Sequence, residues 1–236
     1  MKAVFLSDLH LEQVDSPQFR AFRDLLQQVV QQGKQVFILG DLVEVWVGDD
    51  DDAELACEVK NSLRECVQSV NVCIMHGNRD FLYGEAFETE TGVKVIPDPY
   101  VLQCGDERIL LAHGDAYCTK DMAYQQMRAF LRSPNGISGL LQQTLEQRRA
   151  LARQLRQASK QANELKADNI MDVTLEEIQK TIQDYQCSTM IHGHTHRPAI
   201  HKESWGKRYV LGNWESCGWY LDLSSHALEL RCFAIE

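Results

Sequence analysis

The chain has 236 residues, 44% of them hydrophobic, and a formal net charge of −10. This length and composition allow a buried core, and the acidity argues against a nucleic-acid partner. No apolar run approaches the ~20 residues that span a bilayer, and a strand-like pattern begins at once without a basic leader. We therefore expect a cytosolic protein, or one that lies on a membrane from the cytosolic side. The eight cysteines contain no Cys-x-x-Cys motif and fit reduced, apolar residues.

One segment reverses the overall charge. Between Arg128 and Lys166 there are eight basic residues and two acidic ones, so this segment carries +6 and the remainder −16. Only this part of the chain is expected to attract a polyanion or an anionic lipid surface.

Each of the first three predicted strands is followed by side chains that can bind a metal or a phosphate. Helical spacing over 17–32 and 53–70 predicts crossover helices between these strands. In open α/β sheets, ligands bind beyond the carboxyl ends of the strands. The strands and the residues after them are Ala3–Leu6 with Asp8 and His10, Val36–Leu39 with Asp41, and Val72–Met75 with Asn78 and Arg79.

Other interpretations of these residues stay open at this point. Asp8 can cap a helix beside a surface histidine, and Gly77-Asn78 can form a simple turn. The four consecutive aspartates Asp49–Asp52 fit a solvated loop or a helix N-terminus better than an outer contact of a site.

The next strands differ in direction from the first three. Val101–Cys104 and Arg108–Ala112 predict an antiparallel hairpin that leads to His113, so the sheet becomes mixed. Short strands near the end of the chain are predicted to complete a second sheet. They cover residues 209–211, 219–223 and 229–233.

A histidine cluster follows the buried strand predicted over Cys187–Ile191. Gly193 allows a tight bend there, and the i, i+2 spacing of His194 and His196 can bring both ring nitrogens close together. Two histidines alone make a weak metal site. Dinuclear phosphate chemistry also needs carboxylates, and these come from the earlier strand ends.

Roughly 80 residues separate His113 from the histidine cluster, too many for a loop. Helical patterns over 121–131, 137–166 and 175–185 predict a helical cap over the mouth of the site. Its apolar side chains can be simple core or a ligand surface. Ser159, Asn163 and Lys166 share one helix face and can hold a polar ligand.

The ordered series Asp-x-His, Gly-Asp, Gly-Asn, His-Gly-Asp, Gly-His-Thr-His resembles the calcineurin-like metallophosphoesterases over almost the full length. The resemblance implies an α/β sandwich of two mixed sheets flanked by helices. It also implies a core of residues 1–118 and 187–236, with residues 119–186 as a helical cap insertion. The metal ligands implied are Asp8, His10 and His196 for one ion, Asn78, His113 and His194 for the other, and Asp41 between them.

Arg79 departs from the wider superfamily, in which a histidine usually follows the asparagine. Arginine cannot protonate a leaving group near neutral pH, so the leaving group should need no proton, as with a phosphate. Several motifs together resemble one family in particular, the UDP-2,3-diacylglucosamine pyrophosphatases of lipid A biosynthesis. They are Gly77-Asn78-Arg79-Asp80-Phe81, Leu39-Gly40-Asp41-Leu42, His113-Gly114-Asp115 followed by Asp121, and Ser159, Asn163 and Lys166 ahead of Ile170-Met171-Asp172-Val173. That resemblance implies attack of a metal-bound hydroxide on the α-phosphorus, with manganese as the usual ion.

The same resemblance implies the substrate and its contacts. UDP-2,3-diacylglucosamine would yield 2,3-diacylglucosamine 1-phosphate and UMP, with acyl chains in the cap and its basic residues near sugar, phosphate and the inner membrane. Catalytic roles fall on Asn78, Arg79 and His194. Substrate contacts fall on Asn78, Arg79, Asp121, Ser159, Asn163, Lys166 and His194.

Two alternatives remain. A soluble-nucleotide pyrophosphatase or phosphodiesterase would use the same dinuclear site without an apolar cap cavity. A binding scaffold that lost catalysis is disfavoured because all seven ligand types are present. The remaining histidines, His76, His192, His201 and His226, are interpreted as structural or surface residues.

Overall fold

Two mixed β-sheets packed face to face form the centre of the computed structural model. It describes residues 1–164, 170, 172–224 and 227–236, without the side chains of 160 and 162–164. The first sheet has the strand order β11-β10-β1-β2-β3-β4 and the second the order β5-β6-β7-β9-β8. The strands of the first sheet are β1 (Ala3–Leu6), β2 (Gln35–Ile38), β3 (Val72–Met75), β4 (Lys94–Ile96), β10 (Cys217–Ser224) and β11 (Ala227–Ala234). Those of the second are β5 (Tyr100–Cys104), β6 (Glu107–Leu111), β7 (Thr189–His192), β8 (Ala199–Glu203) and β9 (Gly206–Val210).

Helices cover the outer faces of the two sheets. Strand β1 is buried on both sides, so Val4 and Leu6 face the helices while Ala3 and Phe5 face the second sheet. Within the described residues, no helix is both long and apolar enough to cross a membrane. The helices are α1 (Pro17–Gln31), α2 (Glu54–Val67), α3 (Glu85–Thr91), α4 (Met122–Leu131), α5 (Pro134–Leu141), α6 (Leu145–Glu164) and α7 (Leu175–Asp184), with a 3-10 turn at Asp115–Tyr117.

The parallel strands deliver the candidate site. Strands β1, β2 and β3 pair in parallel in the first sheet, and β6 pairs in parallel with β7 in the second. Their carboxyl ends lead to the predicted ligand loops. The hairpin of β5 and β6 is antiparallel, as predicted.

Two predictions about the elements were wrong. The single helix expected over 137–166 is two helices, because Thr144 and Gln147 form a capping box that starts α6: the Gln147 amide donates to Thr144 Oγ1 and the Thr144 amide to Gln147 Oε1. The last strands do not all complete the second sheet, because β10 and β11 extend the first sheet beside β1. The pattern also missed α3, β4 and β8.

Helix α7 was predicted as part of the cap but packs on the second sheet. Its buried Ile178 and Ile182 contact Leu110 and Met190 in a small core. The helices that lie over the predicted site are therefore α4, α5 and α6, here named the cap helices. The division of the chain into core and cap domains stays a prediction.

The four aspartates hold α3 and a cap helix in place. Asp49 accepts hydrogen bonds from the backbone amides of Gly84 and Phe87 at the start of α3. Asp50 accepts from Arg148 Nη1 at 2.7 Å, and Asp51 and Asp52 pair with Arg149 on the same helix, α6. The run directly precedes α2 and its Asp50 and Asp52 side chains are largely exposed, as predicted, but it also connects the core to α6.

Candidate metal centre

Backbone strain is concentrated at the predicted metal ligands. Positive φ angles occur at Asp8 (57°), His10 (48°), Asp41 (54°), His194 (66°) and His196 (55°). Gln186 is the one further non-glycine residue of this kind in the described part of the chain. Such conformations cost about 1–3 kcal/mol each and persist only where the surroundings impose them, typically at functional sites.

One group of ligand atoms comes from the first and seventh strands. The ligand atoms of Asp8, His10 and His196 lie within 4.8 Å of one another. His10 Nε2 is 3.2 Å from His196 Nε2, and His196 Nε2 is 3.4 Å from Asp8 Oδ1. These are the three residues predicted for the first ion.

A second group joins both sheets. The ligand atoms of Asp41, His113 and His194 also lie within 4.8 Å of one another, and Asn78 Oδ1 is 3.0 Å from His113 Nε2. Asp41 faces both groups, because its Oδ2 is 3.8 Å from His10 Nε2 and its Oδ1 is 3.8 Å from His113 Nε2. The structure thus brings all seven predicted donors together, with Asp41 in the middle.

The donor set fits divalent cations. Asp8 Oδ1 is buried and accepts no hydrogen bond from the described residues, which is costly unless a cation is bound. Imidazole, carboxylate and amide donors suit manganese, zinc and similar ions. The geometry therefore indicates two sites for divalent ions that share one carboxylate.

The second ring nitrogens of two ligands are held by the protein. His113 Nδ1 contacts the Leu39 carbonyl oxygen at 2.9 Å, and His10 Nδ1 lies 2.8 Å from Glu44 Oε2. These contacts aim Nε2 of each ring at the centre, where a metal ion binds by displacing any proton on that nitrogen. Burial alone would lower the pKa of His10, but Glu44, Asp41 and Asp8 raise it to about 9.

His194 lies in the opposite electrostatic situation. Burial, aided by the nearby His113, lowers the pKa of His194 to about 3. Its ring is neutral near pH 7, which suits a metal ligand or a hydrogen-bond partner but not a proton carrier.

Two buried carboxylates that sequence reasoning left without a role support the ligand loops. Asp80 accepts hydrogen bonds from the amides of Asp41, Gly77 and Leu42 and from the Tyr83 hydroxyl. It thereby fixes the loops after β2 and β3 against each other. The sequence feature that could have indicated this role is the position of Asp80 directly after the Gly77-Asn78-Arg79 turn.

Asp115 links the centre to the cap helices. Its Oδ2 accepts from the Tyr124 hydroxyl at 2.5 Å, Arg128 Nε at 2.8 Å and Arg132 Nη2 at 3.0 Å, all on or next to α4. Burial would raise the pKa of Asp115, but Arg132, His113 and Arg128 hold it well below its usual range. Because Asp115 is two residues from His113, α4 is fixed relative to the metal ligands.

A cleft of about 430 Å³ lies between the metal centre and the cap helices, here named the cap cleft. It is lined by five of the predicted substrate-contact residues. Asn163 and Lys166 lie outside the residues whose side chains are described. The five are Asn78, Arg79, Asp121, Ser159 and His194.

An apolar cavity of about 110 Å³ opens off the cap cleft. The lining residues common to both are Asn78, Arg79, Tyr124, Met127, Leu155 and Ser159. Most of the further side chains that line this cavity are apolar. They include Val45, Trp46, Val47, Phe81, Leu82, Leu131, Leu140 and Leu151.

The histidines interpreted as structural behave differently from the ligands. His192 is fully buried, and its Nε2 lies 3.3 Å from Arg208 Nη1. His76 Nε2 contacts the Tyr83 carbonyl oxygen at 2.9 Å. His226 lies outside the described residues.

Comparison with known proteins places this geometry in a family. Residues 1–198 match the family of calcineurin-like phosphoesterases. The chain is a calcineurin-like phosphoesterase. The phosphoesterase fold predicted from the sequence is confirmed, as is its hydrolase class.

Curated relatives of this phosphoesterase cover it almost completely. A UDP-2,3-diacylglucosamine hydrolase of Pseudomonas fluorescens (strain Pf0-1) is 42% identical over 235 residues, 98% of this chain and 95% of the relative. A protein of the same name from Pseudomonas entomophila (strain L48) is 40% identical over 98% of each chain.

Solved phosphoesterase structures share the fold at low identity. A novel archaeal phosphodiesterase has a TM-score of 0.53 and 13% identity over 99% of both chains. Yfce, a phosphoesterase from E. coli, has a TM-score of 0.51 and 16% identity over 100% of both. At this identity the likeness shows the fold alone.

Gly77→Ala is expected to abolish metal binding, because it displaces both the side chain and the backbone of Asp41. A Cβ at Gly77 would lie 2.1 Å from Asp41 Oδ1 and 2.3 Å from the Asp41 backbone nitrogen, so Asp41 must move. Isothermal titration with manganese after chelation measures the effect. The control is Gly139→Ala on α5, where a Cβ meets nothing within 4 Å. Undiminished manganese binding by Gly77→Ala would contradict the central place of Asp41.

Glu44→Gln is expected to weaken manganese binding about 10- to 100-fold, the usual effect of losing an outer partner of a metal-bound histidine. The matched control is Glu12→Gln, since Glu12 pairs with Arg156 as Glu44 does but forms no ion pair with a metal ligand among the described residues. If both variants bind manganese like the parent protein, Glu44 does not orient His10.

Proposed function

We propose that the protein hydrolyses the pyrophosphate bond of UDP-2,3-diacylglucosamine to 2,3-diacylglucosamine 1-phosphate and UMP, a step of lipid A biosynthesis. The observation that carries this proposal is the apolar cavity that opens directly off the candidate metal centre. A phosphate site alone needs no such cavity, whereas a diacylated substrate does. The name of the curated relatives supports the same substrate.

In this proposal two divalent ions, manganese by preference, are held by the seven donors described above. When bound, such ions polarise the phosphoryl oxygens and acidify water. The protein's own groups then orient the substrate. Arg79 lines the cap cleft and offsets negative charge that develops on the leaving phosphate.

The nature of the leaving group accounts for an arginine, rather than a histidine, at position 79. A departing phosphate monoester needs no proton, so a permanent cation serves better than an acid. The backbone amide of Arg79 donates to Asp41 Oδ1 at 2.8 Å, which fixes this residue beside the central carboxylate. Asn78 and His194 line the same cleft and are proposed to contact the phosphoryl group.

The sugar and acyl chains are assigned to the cap side. Asp121 and Ser159 line the cap cleft and suit sugar hydroxyls and amides. The apolar cavity is proposed to take part of an acyl chain, and the exposed apolar surface of the cap helices is proposed to contact the rest of the acyl chains. Asn163 and Lys166 are proposed to complete the polar contacts.

Metal-dependent release of UMP from UDP-2,3-diacylglucosamine tests this function, run beside UDP-glucose with and without manganese after chelation. We expect turnover only when the metal is present and only of the acylated substrate, because its acyl chains gain binding free energy by contact with the apolar cavity. The control is Arg79→Ala, which should lower kcat about 100- to 1000-fold while manganese still binds. Equal turnover of both substrates would instead support the soluble-nucleotide pyrophosphatase.

We further propose that the protein lies peripherally on the cytosolic face of the inner membrane. Several large apolar side chains of the cap helices are exposed, among them Met122, Phe130 and Leu141. The positive net charge of residues 128–166 is partly neutralised by carboxylates of the core. Arg128, Arg132, Arg148, Arg149 and Arg156 all pair with carboxylates.

Binding to vesicles of phosphatidylethanolamine and phosphatidylglycerol should therefore depend mainly on apolar contact. We expect Phe130→Ser to weaken flotation with vesicles severalfold, since Phe130 is 72% exposed. The control is Ile200→Ser, a 50% exposed apolar residue on β8. Loss of binding at high salt in the parent protein would show that charge dominates, and equal effects of both variants would argue against docking through the cap.

A further inference from the structure

We propose that a second cleft, on the α1 side of the metal centre, binds the nucleoside half of the substrate. This inference rests on the proposed function and deepens it. The cleft has a volume of about 660 Å³ and is here named the α1 cleft. It is bounded by the start of α1, the segment before it and the loop between β9 and β10.

The α1 cleft is continuous with the cap cleft at the metal centre. Both are lined by His10, Arg79 and His196. A pyrophosphate bound at the centre carries one substituent on each phosphorus. If the acylated sugar extends under the cap helices, the nucleoside must extend elsewhere, and the α1 cleft is the other large opening at this centre among the described residues.

The two clefts differ in polarity, and so do the nucleoside and the acylated sugar of the substrate. Beyond the centre, the α1 cleft is lined mainly by polar side chains, including Glu12, Gln13, Asp15, Gln18 and Asn213. An acyl chain gains little from such a surface, whereas a ribose and a base can form hydrogen bonds with it.

A polar partition separates the α1 cleft from the apolar cavity. Glu44, Arg79 and Arg156 line both spaces. Arg156 Nε lies 3.0 Å from Glu44 Oε1, and Arg156 Nη2 lies 2.6 Å from Glu12 Oε1. The two substituents are therefore directed to opposite sides of an ion-paired wall.

Particular groups match particular parts of a uridine. The exposed carboxylates of Glu12 and Asp15 are acceptors for ribose hydroxyls and would repel a further phosphate. Asn213 offers an amide donor and acceptor, which match O4 and N3–H of uracil. Its loop is held in place because the Trp214 backbone amide donates to the Asp8 carbonyl oxygen at 3.1 Å.

Binding of UMP and 2′-deoxy-UMP to the manganese-loaded protein, measured by isothermal titration, tests this assignment. Asn213→Ala should weaken UMP about five- to tenfold, the effect of losing one or two hydrogen bonds. The double variant Glu12→Gln with Asp15→Asn should bind UMP and 2′-deoxy-UMP equally, although the parent protein prefers UMP. Leu155→Ala, on the cap side, should leave UMP binding unchanged and raise KM for the acylated substrate.

The outcomes separate this inference from the function it rests on. Unchanged UMP affinity in both α1-cleft variants, or a larger loss in Leu155→Ala, would overturn the nucleoside assignment even if the acylated substrate is hydrolysed. A parent protein that does not hydrolyse that substrate refutes the proposed function instead. Should Asn213→Ala fail to fold, the ratio of UMP to 2′-deoxy-UMP affinity in the double variant still decides the question.

Discussion

The close approach of ligand loops from two sheets is the constraint on which the rest of the structure depends. The carboxyl ends of β1, β2 and β3 in one sheet and of β6 and β7 in the other meet at one place. Five ligands adopt left-handed backbone conformations to reach the centre, and a Cβ at Gly193 would lie 2.2 Å from Asp8 Oδ2. Packing of the two sheets supplies the free energy that holds this strained arrangement.

Charge pairs extend the rigidity of the centre to the helices above it. Asp115 holds α4, while Asp50, Asp51 and Asp52 hold α6 from the other side. Glu44 contacts His10 and Arg156, so one carboxylate touches both a metal ligand and a cap helix. The position of the cap helices and the geometry of the ligands are therefore physically connected. Several basic residues of the cap helices are paired with carboxylates of the core, so their first contribution is to hold these helices in place.

The donor series and the parallel strands were predictable because each depends on local sequence. A short apolar run followed by a glycine and a donor, as at Gly40-Asp41, specifies both a strand and its end. The roles of Glu44, Asp80 and the aspartate run were not predictable, since the partners that connect them to other loops and helices, such as His10, Asp41 and Arg148, lie 34 to 98 residues away in the chain. The same reason explains the misplaced β10 and β11: alternating apolar residues predict a strand but do not specify which sheet it joins.

Helices α4 and α5 bury none of their residues, whereas α1, α2 and α7 each bury several. Ile137 and Leu140 of α5 pack against the main core, so the cap helices are held by these contacts, by the ion pairs beneath them and by whatever fills the space they cover. Amphiphiles retained during purification would fill that space. The heat stability of a preparation would then report its lipid content as much as its sequence, and two batches of the same chain need not melt alike.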